Sequence, residues 1–168
     1  MSLEVGAIYI ILFARPTEPG TYHWGLYHHC TPPSPIARYG SGYRFHVTNA
    51  GSLPGQFVQD FGMTSGALIS FALVGLIKIG QLDPAYVAHL RMHLEQVDCT
   101  SPSPDIIFSC QVWVLKAIAL LIHLGVVHCN DINALEREVC GFADQEWANA
   151  EGNKQPRPIV QSNVCTFA

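Results

Sequence analysis

The sequence predicts an α+β domain in which an antiparallel sheet of about five strands packs on a buried central helix with flanking helices. Three observations carry this expectation. The first half is a succession of short apolar or alternating runs rich in β-branched and aromatic residues, separated by Gly and Pro clusters. The second half holds segments with helical spacing and helix-capping residues. Between them stands Val112 to Ile122, apolar at nearly every position and therefore expected to be covered on several sides.

The elements follow in order. Gly6 to Ala14 (GAIYIILFA) reads as a strand covered on both faces, ended by Arg15-Pro16 and the turn residues Glu18-Pro19-Gly20. Thr21 to His29 reads as the second arm of a hairpin, and Tyr43 to Asn49 as a third strand after a Pro- and Gly-rich loop from Cys30 to Gly42. Gly55 to Phe61 alternates as a fourth strand. Ala67 to Ile79 is read as mainly strand, because Gly75 and its β-branched residues disfavour a helix. Asp83-Pro84 supplies an N-cap and a Pro at the first helical position, opening a helix to about Gln96. A second helix is expected from Ser109 to Leu124, stopped by Gly125, and a last one from Asp131 to Phe142. Residues 1–147 are read as one catalytic-type domain, and 148–168, with Gly152, Pro156 and Pro158, as a loosely ordered C-terminal tail.

Composition narrows the function. With 49% hydrophobic and 13% charged residues the chain has ample material for a core, and disorder is excluded over most of its length. A formal net charge of -4 with no Lys or Arg run offers no footprint for nucleic acid or an acidic membrane. The apolar stretches Gly66 to Gly80 and Val112 to Val127 fall short of the roughly 20 residues a span needs, so no stable membrane insertion is expected. The first residues lack the basic region of a secretory signal, which points to a cytoplasmic protein. The six scattered cysteines are expected to be free thiols.

Among them Cys110 is singled out by position, where a Pro- and Ser-rich loop turns into the apolar helix. A thiol there feels the positive end of the helix dipole and unpaired N–H groups, which favour a nucleophilic thiolate. His23 in the strand YHWGLY and His46 in the strand RFHVTN supply two imidazoles. Strand parity puts His23 and Gly25 on one side and Tyr22, Trp24 and Leu26 on the other. Cysteine chemistry needs a base to take the thiol proton and later return it, a role that suits His23. It also needs a partner that holds the base, for which His46 is the candidate and Asn49 a substitute. Trp24, Tyr27, Asn49, Gln111 and Trp113 are the candidate substrate-binding residues. His28-His29-Cys30, with His89 and His93 one turn apart on a helix, raises a metal site, but neither group has a full ligand set local to it, so neither a metal nor any other cofactor is assigned.

The order of these residues resembles the circularly permuted papain-like fold of the NlpC and lecithin retinol acyltransferase superfamily. His23, Trp24 and Tyr27 match that family's H-W-x-x-Y pattern, His46 its polar residue on the next strand, and Cys110 its helix-opening cysteine. The resemblance spans about Gly6 to Gly125 and implies a cysteine-dependent hydrolase or acyltransferase working through a thioester on a small acyl, ester or amide substrate. Gln111 stands where the acyltransferases carry an acid in an N-C-E-H-F-like string, which sets this chain apart from that subfamily. The alternatives are a peptidase or isopeptidase of the same fold, a thiol-dependent cyclase acting on a small metabolite, and a non-catalytic binding module.

Overall fold

A computed structural model of the chain describes residues 2–51 and 53–167. Among these, β1 (Ala7–Ala14), β2 (Tyr22–Thr31), β3 (Ser41–Thr48), β4 (Val58–Thr64) and β5 (Leu73–Gln81) precede α1 (Val87–Glu95), α2 (Cys110–His123), β6 (His128–Cys129), α3 (Ile132–Glu151), β7 (Ile159–Gln161) and β8 (Cys165–Thr166). The main sheet has the order β4-β3-β2-β1-β5-β7, and β6 and β8 form a separate ribbon. The α+β class is as expected. The sheet is mixed and six-stranded rather than purely antiparallel with about five strands, since β7 joins β5 in parallel.

β1 lies at the centre, between β2 and β5, which accounts for its unbroken apolar run. Its even-numbered residues, Ile8, Ile10 and Leu12, share a core with Trp24, Leu26, Phe45 and Val47 and with the three helices. Its odd-numbered residues Tyr9 and Ile11 face a smaller second core with Tyr27, Leu73 and Ile159, covered by Leu3, Ala67 and Leu68. The sheet is therefore sandwiched asymmetrically, with helices on one face and short segments on the other.

Several elements depart from expectation for identifiable reasons. α2 buries Cys110, Trp113, Val114, Ala117, Ile118 and Leu121, a single stripe at helical spacing, while Ala119 is exposed. It is a one-sided surface helix rather than one buried all round. The run from Ala67 is split: residues 67–69 form a 3₁₀ turn, Ser70 donates its hydroxyl proton to the Gly66 carbonyl, and the strand begins at Leu73. β4 starts at Val58 instead of Gly55 and is an edge strand with Val58, Asp60, Gly62 and Met63 exposed. Asp83 caps as expected, accepting from Ala85 N at 2.8 Å, but the first turn after it is 3₁₀ before α1 begins.

The largest departure is the C-terminus. α3 runs past Phe142 to Glu151 because its inward stripe continues through Leu135, Val139, Ala143 and Ala150, which outweighs the helix penalty at exposed Gly141. The segment read as a loose tail then returns to the sheet as β7. Arg157 secures it: Nε donates to the Leu73 carbonyl at 2.8 Å, and Nη2 to the Val74 carbonyl at 2.7 Å and to Glu146 Oε2 at 2.8 Å. A three-residue strand is too short to show a period in sequence. No helix among the described residues is long and apolar enough to cross a membrane.

α3 reaches β5 closely because of Gly75, where an added Cβ would stand 2.6 Å from Phe142 Cζ and 2.7 Å from the Pro158 carbonyl oxygen. Gly75→Ala is expected to destabilise the protein by about 1–3 kcal/mol through overpacking. Urea unfolding checks this, and an unchanged midpoint would contradict the packing described.

Candidate functional site

Where β2 leaves β3 the sheet forks. The ladder between them runs from Thr31 opposite Ser41 to Leu26 opposite Phe45 and ends there. β2 continues alongside β1 as far as Ala14 opposite Tyr22, and β3 continues alongside β4 as far as Thr48 opposite Val58. Arg15 N donates to the Thr21 carbonyl, so the main-chain groups of residue 21 point toward β1. By alternation those of Tyr22 and Trp24 point into the fork.

Cys110 enters the fork from the helical face. Ser109 is the N-cap of α2, its hydroxyl accepting from Val112 N at 3.3 Å, which places Cys110 at the first helical position with its sulfur ahead of the helix. Sγ accepts from the Trp24 main-chain N–H at 3.5 Å and lies 3.8 Å from the Tyr22 carbonyl. It thus occupies the place of a third strand's hydrogen-bonding groups. Arg15 Nη2 donates to the same sulfur at 3.2 Å. The thiol is 2% exposed and lines a cavity of about 370 Å³ bordered by Arg15, Thr21, Tyr22, Gln111, Cys140 and Asp144.

His23 and His46 approach the fork from the opposite face. His23 stands beside Phe13, ring centroids 6.2 Å apart, and the Gly25 backbone leaves room for His46, whose Cβ would be 3.3 Å from a Cβ at that position. His23 Nε2 and His46 Nδ1 are 2.7 Å apart, so the two rings reach across from β2 to β3. His46 Nε2 lies 3.2 Å from Asp60 Oδ2 on β4, yet its alignment misses that of a hydrogen bond; the carboxylate acts on it through charge. Burial first, then the charges of His46, Arg15 and Arg44, hold the His23 pKa down to about 4, against the opposing pull of Asp60. His46 is lowered as well, by burial and then Arg44. Both imidazoles are therefore neutral near pH 7, one ring donating to the other.

The structure brings His23 and His46 into contact and sets both at the fork with Cys110, but no hydrogen bond joins either imidazole to Sγ. Helix α2 packs on the Trp24 face of β2, the side away from His23. Of the expected substrate-binding residues only Gln111 borders the cavity, where its Nε2 donates to Glu136 Oε1 at 2.7 Å. Trp24 and Trp113 are core residues, Trp113 donating from Nε1 to the Val97 carbonyl at 3.1 Å. Tyr27 is buried on the opposite face with its hydroxyl 3.0 Å from His29 Nδ1, and Asn49 is exposed past the end of β3.

Residues that sequence reading passed over complete the site. Arg15 stands in the sequence only as part of a turn signal. Asp60 is placed opposite His46 by the β3–β4 register, and Tyr22 donates its hydroxyl proton to Asp144 Oδ1 at 2.6 Å. Burial, and after it the carboxylates of Glu136 and Asp144, push the Cys140 thiol up. No group of three His, Cys, Asp or Glu among the described residues could hold a metal ion.

A native His23 pKa near 4 against an ordinary 6.5 means that the unfolded chain takes up this proton first. The stability this neutral imidazole contributes is present above about pH 6.5 and is lost as pH falls toward about 4. His23→Gln is expected to flatten the dependence of the urea midpoint on pH across that window without abolishing it, since His46 shifts in the same direction. An identical slope in variant and wild type would contradict the assigned environment.

No family model, curated protein sequence or solved structure matches this chain.

Proposed function

We propose that the chain is a cysteine-dependent acyl-processing enzyme, a hydrolase or acyltransferase that passes a small acyl group through a thioester on Cys110. The observation that carries this reading is the convergence of the Cys110 sulfur and the His23–His46 pair on one fork in the sheet, from opposite faces. His23 takes the thiol proton, and sulfur attacks the carbonyl carbon of an ester, amide or thioester. The oxyanion meets donors already aimed at the sulfur, the Trp24 N–H and the Arg15 guanidinium. His23 then returns the proton to the leaving group, and water or an acceptor repeats the sequence on the thioester.

The orientation of the base follows from charge. Asp60 draws the His46 proton onto Nε2, leaving His46 Nδ1 to accept from His23 Nε2–H; His23 Nδ1 is then the lone pair that receives the thiol proton. Turnover requires the thiol to turn from its Arg15 contact toward that ring. The cavity beside Cys110, about 370 Å³ with Arg15, Gln111 and Asp144 on its walls, suits a small polar acyl substrate better than an extended peptide or a long acyl chain.

A second reading is favoured by one observation: the thiol is 2% exposed and is held by Arg15 rather than by an imidazole. On that reading the chain is a non-catalytic binding module, and Cys110 is a packing residue that completes the fork. Turnover of small ester, thioester and amide probes separates the two. The enzyme reading expects Cys110→Ala to lose about 10³-fold or more in rate with an unchanged circular dichroism spectrum. It also expects the acid limb of kcat/KM near pH 4, where His23 becomes charged, instead of near 6.5. Full activity in Cys110→Ala, or no turnover by the wild type, would rule this assignment out.

A further inference from the structure

At the other end of β2, a second cysteine has the imidazole contact that Cys110 lacks. His28 and Cys30 lie two apart on the strand, where its register on β3 shifts between His29 and Thr31. His28 is fully buried, and its Nε2 is 2.8 Å from the Leu82 carbonyl oxygen. A carbonyl only accepts, so Nε2 carries the proton; the Gly6 backbone also bonds to this ring, and in the neutral imidazole Nδ1 is the nitrogen left with a lone pair. Leu82 is itself held in place, its N–H donating to the Gly6 carbonyl at 2.7 Å, while Gly6 N–H donates to the His29 carbonyl at 2.7 Å.

Cys30 Sγ stands 3.7 Å from that Nδ1 and is partly exposed. The thiol proton has one other acceptor, the His28 carbonyl at 3.4 Å. Burial lowers the His28 pKa and raises that of Cys30, which describes a neutral thiol beside a neutral imidazole. A buried histidine that only satisfied the Leu82 carbonyl would need no partner at Nδ1; here Nδ1 faces a nucleophile. Thiol, base and a group that sets the base's tautomer are the parts a nucleophilic site requires.

We propose that Cys30 is a self-acylation site for small acyl thioesters, with His28 as its base and the Leu82 carbonyl as the group that orients the base. The Cys30 sulfur bonds to the acyl carbon and His28 Nδ1 takes the thiol proton. The carbon–sulfur bond of the donor then breaks, and the departing thiolate takes the proton from His28. One thioester and one thiol thereby become another thioester and another thiol, with no oxidant or cofactor. The step does not involve Cys110 and stands apart from the function proposed for it.

The test treats wild type and Cys110→Ala with the acetyl thioester of N-acetylcysteamine and follows acetylation of each cysteine by peptide mass spectrometry. Cys99 is the internal reference, a half-buried thiol with no hydrogen bond to an imidazole, raised by burial and by the Asp98 carboxylate. The expected result is acetylation of Cys30 at least about 10-fold faster than Cys99 in both proteins, falling to the Cys99 rate in His28→Gln. If His28→Gln fails to fold, the deuterium solvent isotope effect on the wild-type rates decides, expected at Cys30 and absent at Cys99. Cys30 reacting no faster than Cys99, or showing no isotope effect where the variant cannot be used, would overturn the proposal. Because Cys110→Ala retains the site, an inert Cys110 and an inert Cys30 are distinguishable results.

Discussion

Everything at the Cys110 site depends on the ladder between β2 and β3 ending at Leu26 and Phe45. A continuous ladder would spend the Trp24 N–H on a strand carbonyl and close the space where the sulfur sits. Because it stops, a buried N–H would be left unpaired at a cost of about 1–3 kcal/mol, and the Cys110 sulfur accepts its hydrogen bond instead. The Ser109 cap projects that sulfur from the helix end, while the absence of a side chain at Gly25 lets His46 approach β2 from the other face. Fold and site are thus one arrangement: the helix N-terminus substitutes for strand pairing, and two histidines bridge the opening.

The electrostatics around the fork favour neutral imidazoles on balance. Arg15 and Arg44 face the imidazoles, and Asp60 is the one carboxylate that raises the pKa of both. Protonating His23 therefore costs both desolvation and repulsion, so the pair stays neutral across the physiological range. At the sulfur, the same Arg15 guanidinium is a charged donor. The Arg15 cation that discourages a positive His23 is also placed to stabilise negative charge on the sulfur or on an oxyanion beside it.

Much of this was legible in the residues. The unbroken apolar run of β1, the helix opening at Asp131 and the parity of His23 with Gly25 all translate directly into the structure. The face chosen by α2 did not follow from the position of the candidate triad. The physical signal for it lay in the same parity: Trp24, Leu26, Phe45 and Val47 make one face of β2 and β3 apolar, while His23, Arg44 and His46 make the other polar. An apolar helix stripe packs on the former. What periodicity does not reveal is non-local: the end of a ladder, a three-residue strand held by buried Arg157, and a turn arginine directed at a sulfur 95 residues away.

The most direct measurement is the rate at which limiting iodoacetamide alkylates each cysteine of the native protein, compared between wild type and His23→Ala. If the thiol and the imidazole pair work together across the fork, Cys110 is alkylated faster than the other five cysteines and loses that lead when His23 is removed. A Cys110 that labels only after denaturation, or that labels equally fast without His23, would contradict the account and leave the sulfur as the packing group that closes the fork.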